Sequence, residues 1–357
     1  RGEPHRRPQP AAAGVGAPPC RTSTTMLRFH RMRTTRLAAG AKWLSSATAP
    51  ENATCLVIGA GHIGTYLATR AQAALPTATV LLKYHPDFPP RAEVRDLCAA
   101  HGVRLVDHVP ASDLAFITTK TMDHDAACAE LADAPHPPRT VTLVHNGLMP
   151  PPPKFPEGSD LVRCCTMGSW DFNPDGSFKV HNKEVPWFLP PTEEARPAEA
   201  FLNAAGVPAV RDEQFGWRQL KKYLVNTTAN LMSIATDKNC GGMLADPDVD
   251  LRMERVFREM MAVLRADPTL ADAWRWAPGS DDEIRGMVWA ALHSYKDHFP
   301  STYADYSAGR PLEHASLNGY VVLAAGRQGV PAPENAALID EVLAKLEAKR
   351  CAVAGAA

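Results

Sequence analysis

The stretch "TCLVIGAGHIGTYLATRAQ" runs from Thr54 to Gln72 as an apolar strand, a glycine turn and a helix. Few folds accept that order. Gly59, Gly61 and Gly64 stand in G-x-G-x-x-G spacing, with Ala60, His62 and Ile63 between them. The first glycine permits a tight turn, the second lets backbone approach a pyrophosphate, and the third lets the helix pack on the strand. Free N–H groups at the helix N-terminus suit the phosphates. Residues 59–64 are therefore expected to bind a dinucleotide.

Buried parallel strands read as unbroken apolar runs, and 78–84, 103–107, 113–120 and 140–147 do so. The expectation is an N-terminal Rossmann-type, doubly wound α/β sheet. Ligands bind beyond the carboxyl ends of such strands, which here are Gly59, Lys83, Lys120 and Asn146. The end of the second strand discriminates between cofactors. An acid there bonds the ribose 2′-hydroxyl of NAD, whereas a cation suits the 2′-phosphate of NADP. This chain offers Lys83, then Tyr84, His85 and Arg91, with Asp87 nearby. NADP(H) is the expected cofactor.

A proline loop at 149–158 leads to strand-like pieces at 161–172, 176–182 and 184–191, read as finishing the sheet. Helical patterns come next at 214–236, 247–266, 281–296, 313–328 and 333–349. The expected division is a nucleotide-binding domain over 53–211, an all-α domain over 212–350 and a tail over 351–357.

Within the first of those helices, Lys222, Asn226 and Asn230 lie four residues apart among Leu220, Leu224, Val225, Leu231, Met232 and Ile234. Four residues advance a helix slightly past one turn, so the three form a slanting stripe. An ammonium and two amides are costly to bury alone. They must bond other protein groups or face a cleft holding a polar ligand, and spacing leaves both open. Lys221 falls off the stripe and reads as solvated. In "FPSTYADYSAGRPLEHASLNGYVV" (299–322), "AGRP" reads as a turn and Glu313 as a first-turn acid, which the helix dipole favours in any case.

Composition sets the outer limits. The chain is 45% hydrophobic and 22% charged over 357 residues, ordinary for a globular protein. No apolar run reaches the roughly 18 residues of a membrane span. The eight cysteines form no CxxC pair, so we read free thiols in a reducing compartment and no metal site. Residues 1–50 hold nine Lys/Arg against one acid, Glu3, so the remainder is acidic and nucleic acid is a poor partner. From Met26, a candidate start, "MLRFHRMRTTRLAAGAKWLSSATAP" is basic, acid-free and Ser/Thr-bearing, with Leu37, Ala41 and Leu44 on one helical face. That is the composition of a mitochondrial transit peptide. Segment 1–52 is thus set apart from the fold, with the mitochondrial matrix as expected destination.

Taken together, "GAGHIG", Lys120 at a strand end, "HNG" (145–147), "WRQLKKYLVNTTAN" and "GRPLEHASLNGYVV…GVPAPEN" resemble the ketopantoate reductase (2-dehydropantoate 2-reductase) family over roughly 54–345. The resemblance implies a Rossmann domain followed by a 6-phosphogluconate-dehydrogenase-like helical domain, with the site between them. It implies NADPH-dependent reduction of ketopantoate to pantoate, a step towards coenzyme A. Lys222 matches the family's proton-donating lysine. Asn226, Asn230 and Ser301 match substrate-binding residues, Glu313 the glutamate near substrate and nicotinamide ribose, and Asn146 and Lys120 residues beside the cofactor, with Asn146 also near the substrate. Lys83 stands where the family often has an arginine for the 2′-phosphate. This chain departs at Glu313-His314-Ala315, where the family commonly reads Glu-Ile-Asp, at "NCGGML" (239–244) and in the order around Leu220–Lys222. Two rivals remain: another NADP-dependent 2-keto or hydroxy acid dehydrogenase, and a non-catalytic mitochondrial NADP-binding protein. A homodimer and a small 2-keto acid are the expected partners.

Overall fold

The computed structural model describes residues 52–173, 177–181 and 184–354. The expected targeting segment therefore lies outside the described residues, save Asn52. Six strands make one wholly parallel sheet: β1 (Thr54–Ile58), β2 (Thr79–Lys83), β3 (Arg104–Val106), β4 (Leu114–Ile117), β5 (Thr140–Val144) and β6 (Asp160–Cys164), in the order β3-β2-β1-β4-β5-β6. This is the doubly wound Rossmann order, which reverses at β1 and β4 and leaves a crevice at their carboxyl ends. The crossovers are α1 (His62–Ala74), α2 (Ala92–His101) and α3 (His124–Asp133). Close packing at the first turn is set by Gly64, where an added Cβ would stand 2.0 Å from the Gly59 carbonyl oxygen.

Strand parity divides the core. Val80 and Leu82 pack with α1, whereas Leu81 lies among the residues that face α3. The piece expected over 161–172 breaks in two. Cys165 exchanges backbone hydrogen bonds with Phe188, and the chain then leaves the sheet. It turns into an antiparallel hairpin, β7 (Ser169–Phe172) and β8 (Phe178–His181). Next come β9 (Trp187–Leu189), α4 (Arg196–Ala204) and β10 (Ala209–Arg211), with β9 and β10 paired in parallel.

From Phe215 the chain is helical: α5 (Phe215–Thr236), α6 (Cys240–Leu244), α7 (Pro247–Ala266), α8 (Ala271–Trp274), α9 (Asp281–Ser294), α10 (Ser301–Ser307), α11 (Asn318–Gln328) and α12 (Pro333–Ala354). Local signals fix several ends. Asp246 caps α7 ahead of Pro247, and Ser280 with Glu283 forms a reciprocal capping box on α9. These helices share one apolar core centred on α5, to which, among the described residues, only Leu148 is added from the preceding half. Among the described residues no helix is long and apolar enough to cross a membrane, and no cluster of three or more His, Cys, Asp or Glu is placed to hold a metal. The seven described cysteines are free.

Helix α11 corrects one expectation. Glu313–Ser316 forms a separate 3-10 turn, and Leu317 (φ −105, ψ −114) breaks from helical geometry before Asn318. Tertiary hydrogen bonds meet the chain there. Ser316 O accepts from Leu148 N at 3.0 Å, and Leu317 O accepts from Tyr223 Oη at 2.8 Å. In a continuous α-helix Ser316 O would accept from Tyr320 N, which bonds Leu317 O at 3.0 Å instead.

Candidate active site between the strand ends and the helices

Helix α5 brings Lys222, the first residue of its polar stripe, to the end of β6. Lys222 is half-buried and donates to the Thr166 main-chain oxygen, just past that strand, while Lys221 is exposed. Burial pushes the Lys222 ammonium below the ordinary lysine range, against the pull of the Glu313 carboxylate. Asn226 is half-buried, and among the described residues its amide has no protein partner. One turn on, Asn230 is buried and donates to Thr302 Oγ1 at 3.0 Å. Ser301, expected in that role, is exposed at the first position of α10. The next residue, Thr302, carries the hydroxyl that meets the stripe.

Glu313 is buried at 5% exposure, and its Oε1 accepts from Thr121 N at 3.1 Å. Lys120 Nζ lies 2.7 Å from Asp305 Oδ2 and 3.5 Å from Glu313 Oε2. Burial would lower the proton affinity of Lys120, but Glu313 and Asp305 outweigh it and hold the group above its usual value. Sequence reasoning missed Asp305. The available signal was its place one turn beyond Ser301, on a helix opposite a strand-end lysine.

Asn146 is half-buried in the turn after β5. There Gly147 takes φ +83, and a Cβ on it would stand 2.3 Å from Ser316 O. Only glycine allows that approach. His145, beneath, donates from Nδ1 to the Asn146 carbonyl at 3.1 Å and meets the His124 ring edge to face at 5.3 Å. Burial drives His145 down to about 3, with His124 adding to the effect.

Lys83, expected to meet a 2′-phosphate, has a protein partner. Odd positions of β2 face α3, so the Lys83 side chain is buried there and paired with Glu130 at 2.7 Å. The cation beside the glycine turn is Arg91, whose Nη2 lies 3.0 Å from His62 Nε2 and whose guanidinium sits over Phe172 at 5.4 Å. The turn itself fits a dinucleotide. No atom lies within 4 Å of the place a Gly61 Cβ would take, and α1 begins with no side-chain cap, leaving first-turn N–H groups open to a phosphate. Two hollows, of about 510 Å³ beside Tyr66 and Arg70 and about 340 Å³ beside Lys83 and Glu130, lie away from these groups. The first mixes apolar and polar side chains, and the second is lined by Asp107, His108 and Asp133 beside the Lys83–Glu130 pair, on the α3 side of the sheet.

Comparison with known proteins gives a consistent result. Residues 55–184 match the family model "Ketopantoate reductase PanE/ApbA", and 214–346 match "Ketopantoate reductase PanE/ApbA C terminal". No curated protein matches. Solved structures share the fold. One is a PanE/ApbA family ketopantoate reductase from Ralstonia eutropha JMP134, 20% identical, covering 83% of this chain and 99% of its own, with a TM-score of 0.68. Another is D-mandelate dehydrogenase with NADH and anilino(oxo)acetate, 18% identical, covering 83% and 99%, at 0.67. A third is a dimeric ketopantoate reductase from Staphylococcus aureus, 17% identical, covering 82% and 99%, at 0.63. With both family models spanning the two halves in order, the chain belongs to the ketopantoate reductase family of oxidoreductases.

Proposed function

We propose that the protein reduces a 2-keto acid with a nicotinamide dinucleotide, ketopantoate being the substrate and NADPH the preferred donor. The observation that carries this reading is Lys222: a partly desolvated ammonium, on a stripe with two amides, facing the carboxyl end of the parallel sheet. Bound nicotinamide would supply the hydride. Lys222 would hold the carbonyl oxygen and protonate it as it becomes a hydroxyl. Its lowered proton affinity suits a donor working nearer neutrality than a free lysine does. Asn226 is free to bond the substrate's polar groups, with Asn230, Asn146 and the Ser301–Thr302 pair around it, so that one face of the carbonyl is presented. Glu313 and Lys120, held against each other, would meet the ribose beside the nicotinamide. For NADPH over NADH the support is Arg91 beside His62, not Lys83. A homodimer, the state named for the Staphylococcus aureus relative, is the assembly we expect.

A second reading keeps the chemistry and changes the acid. Glu313-His314-Ala315 lacks the family's second carboxylate, and a mandelate dehydrogenase shares the fold. Loss of NADPH absorbance, followed with ketopantoate, other branched 2-keto acids and an aromatic 2-keto acid, separates the two. No turnover with any of them rejects both.

A further inference from the structure

Tyr223 follows Lys222 in α5 but points away from the sheet, into the helical core, at 1% exposure. Its ring meets Tyr320 edge to face at 6.1 Å. Packing alone would be served by phenylalanine. The hydroxyl has a different use: it donates to Leu317 O at 2.8 Å. Burial drives the phenol well above its ordinary range, so it stays a donor at any working pH.

Leu317 closes the turn that carries Glu313. Within that turn Ser316 Oγ donates to Glu313 O at 3.1 Å and lies 2.9 Å from Thr121 Oγ1. Thr121 N in turn holds the Glu313 carboxylate. One end of the turn is thus fixed by the strand ends, the other by α5. We propose that Tyr223 is a positioning residue, whose hydroxyl ties the Glu313 turn to the helix bearing Lys222 and so sets the distance from the Glu313 carboxylate to the Lys222 ammonium.

This deepens the proposed function and rests on it for the role of Lys222. Cys164 at the end of β6, Cys165 just past it, Glu313 of the turn and His145 after β5 lie near enough to interact electrostatically with Lys222. Burial keeps the two thiols and the imidazole uncharged, so Glu313 is the anion whose position matters. A carboxylate nearby favours the ammonium, so letting Glu313 drift lowers the proton affinity of Lys222.

The test compares Tyr223→Phe with Tyr320→Phe in the full chain. Tyr320 buries a second phenol in the same cluster but bonds Asp267 instead. For Tyr223→Phe we expect kcat to fall about tenfold, the scale of one lost hydrogen bond, with KM for the keto acid little moved. The alkaline limb of its kcat profile should shift to lower pH, and amides 314–318 should exchange faster with solvent. Tyr320→Phe should leave kcat and the limb in place. Unchanged kcat and limb in Tyr223→Phe overturn the proposal, as does Tyr320→Phe reproducing the changes, or faster exchange with an unmoved limb. If the unmutated chain reduces no keto acid, the functional reading falls, and exchange alone decides the tie: unaltered rates in Tyr223→Phe reject it.

Discussion

Asp305 stands between two cations, 2.7 Å from Lys120 Nζ and 3.0 Å from Arg310 Nε, while itself 5% exposed. It pins the end of β4 to α10. Three residues of α10 thereby acquire distinct duties: Ser301 faces solvent, Thr302 the amide of Asn230, and Asp305 the lysine.

Asp305→Asn should therefore cost about 1–3 kcal/mol of stability, toward the low end because Lys120 is 44% exposed and screened. It should also weaken nicotinamide nucleotide binding, since Lys120 is left with Glu313 alone. Denaturant melts and a fluorescence titration measure the two effects. An unchanged affinity would separate Lys120 from the cofactor.

Lys222→Ala should lower kcat by about 100-fold or more, the scale of a lost acid–base group, with nucleotide binding nearly intact. Lys221→Ala, at an exposed position, should be silent. In the unmutated enzyme the alkaline limb of kcat should fall below the ordinary lysine value of 10.5, because burial disfavours the ammonium. Steady-state kinetics across pH checks all three. A dead Lys221→Ala beside an active Lys222→Ala would reverse the assignment.

For the cofactor, Arg91→Ala should weaken NADPH about tenfold or more, the scale of a charged hydrogen bond, and leave NADH unmoved. Lys83→Met should change neither affinity, because that amine is spent on Glu130. Equal loss of both nucleotides on removing Arg91 would argue against 2′-phosphate recognition.

His145 gives a pH dependence of stability. Its folded value of about 3 lies below the unfolded 6.5, so between those limits the unfolded chain binds the extra proton. Stability is then full above 6.5 and declines as pH falls toward 3, by up to about 1.4 kcal/mol per pH unit. His145→Asn keeps a donor near the Asn146 carbonyl and removes the titration. Urea melts at neutral and acid pH should show a flatter profile for the variant.

Residues 26–52 fused to a reporter should carry it into mitochondria. Their motivation is sequence alone, the basic and acid-free run after Met26. Uniform cytosolic signal would reject the address.

How much of this is legible in the sequence depends on where each cause lies. The glycine turn, the apolar strands and the 247–266 helix follow from local rules, and the structure returns α7 with those bounds because Asp246 and Pro247 start it. The Lys222 stripe needs only the helical period. The pairing of Lys83 with Glu130 goes unread in the sequence although parity holds its reason: Leu81 and Lys83 must face one side, opposite the side where Leu82 packs with α1. That Thr302 rather than Ser301 meets Asn230 depends on where α10 starts, which decides which hydroxyl turns inward. The break at Leu317 is invisible in the sequence, since the groups that meet it, Leu148 N and Tyr223 Oη, sit far away in the chain.

The contact of Leu148 N with Ser316 O also has a meaning in time. A chain is made from its N-terminus, and domains tend to fold as they emerge. The glycine turn and all six parallel strands precede Leu148 or come soon after it, so a nucleotide cradle can form early. The carbonyl that Leu148 awaits comes near the end of synthesis, with Glu313 beside it. A nascent or truncated chain that stops short of Ser316 leaves Leu148 N without this acceptor and lacks Glu313 altogether.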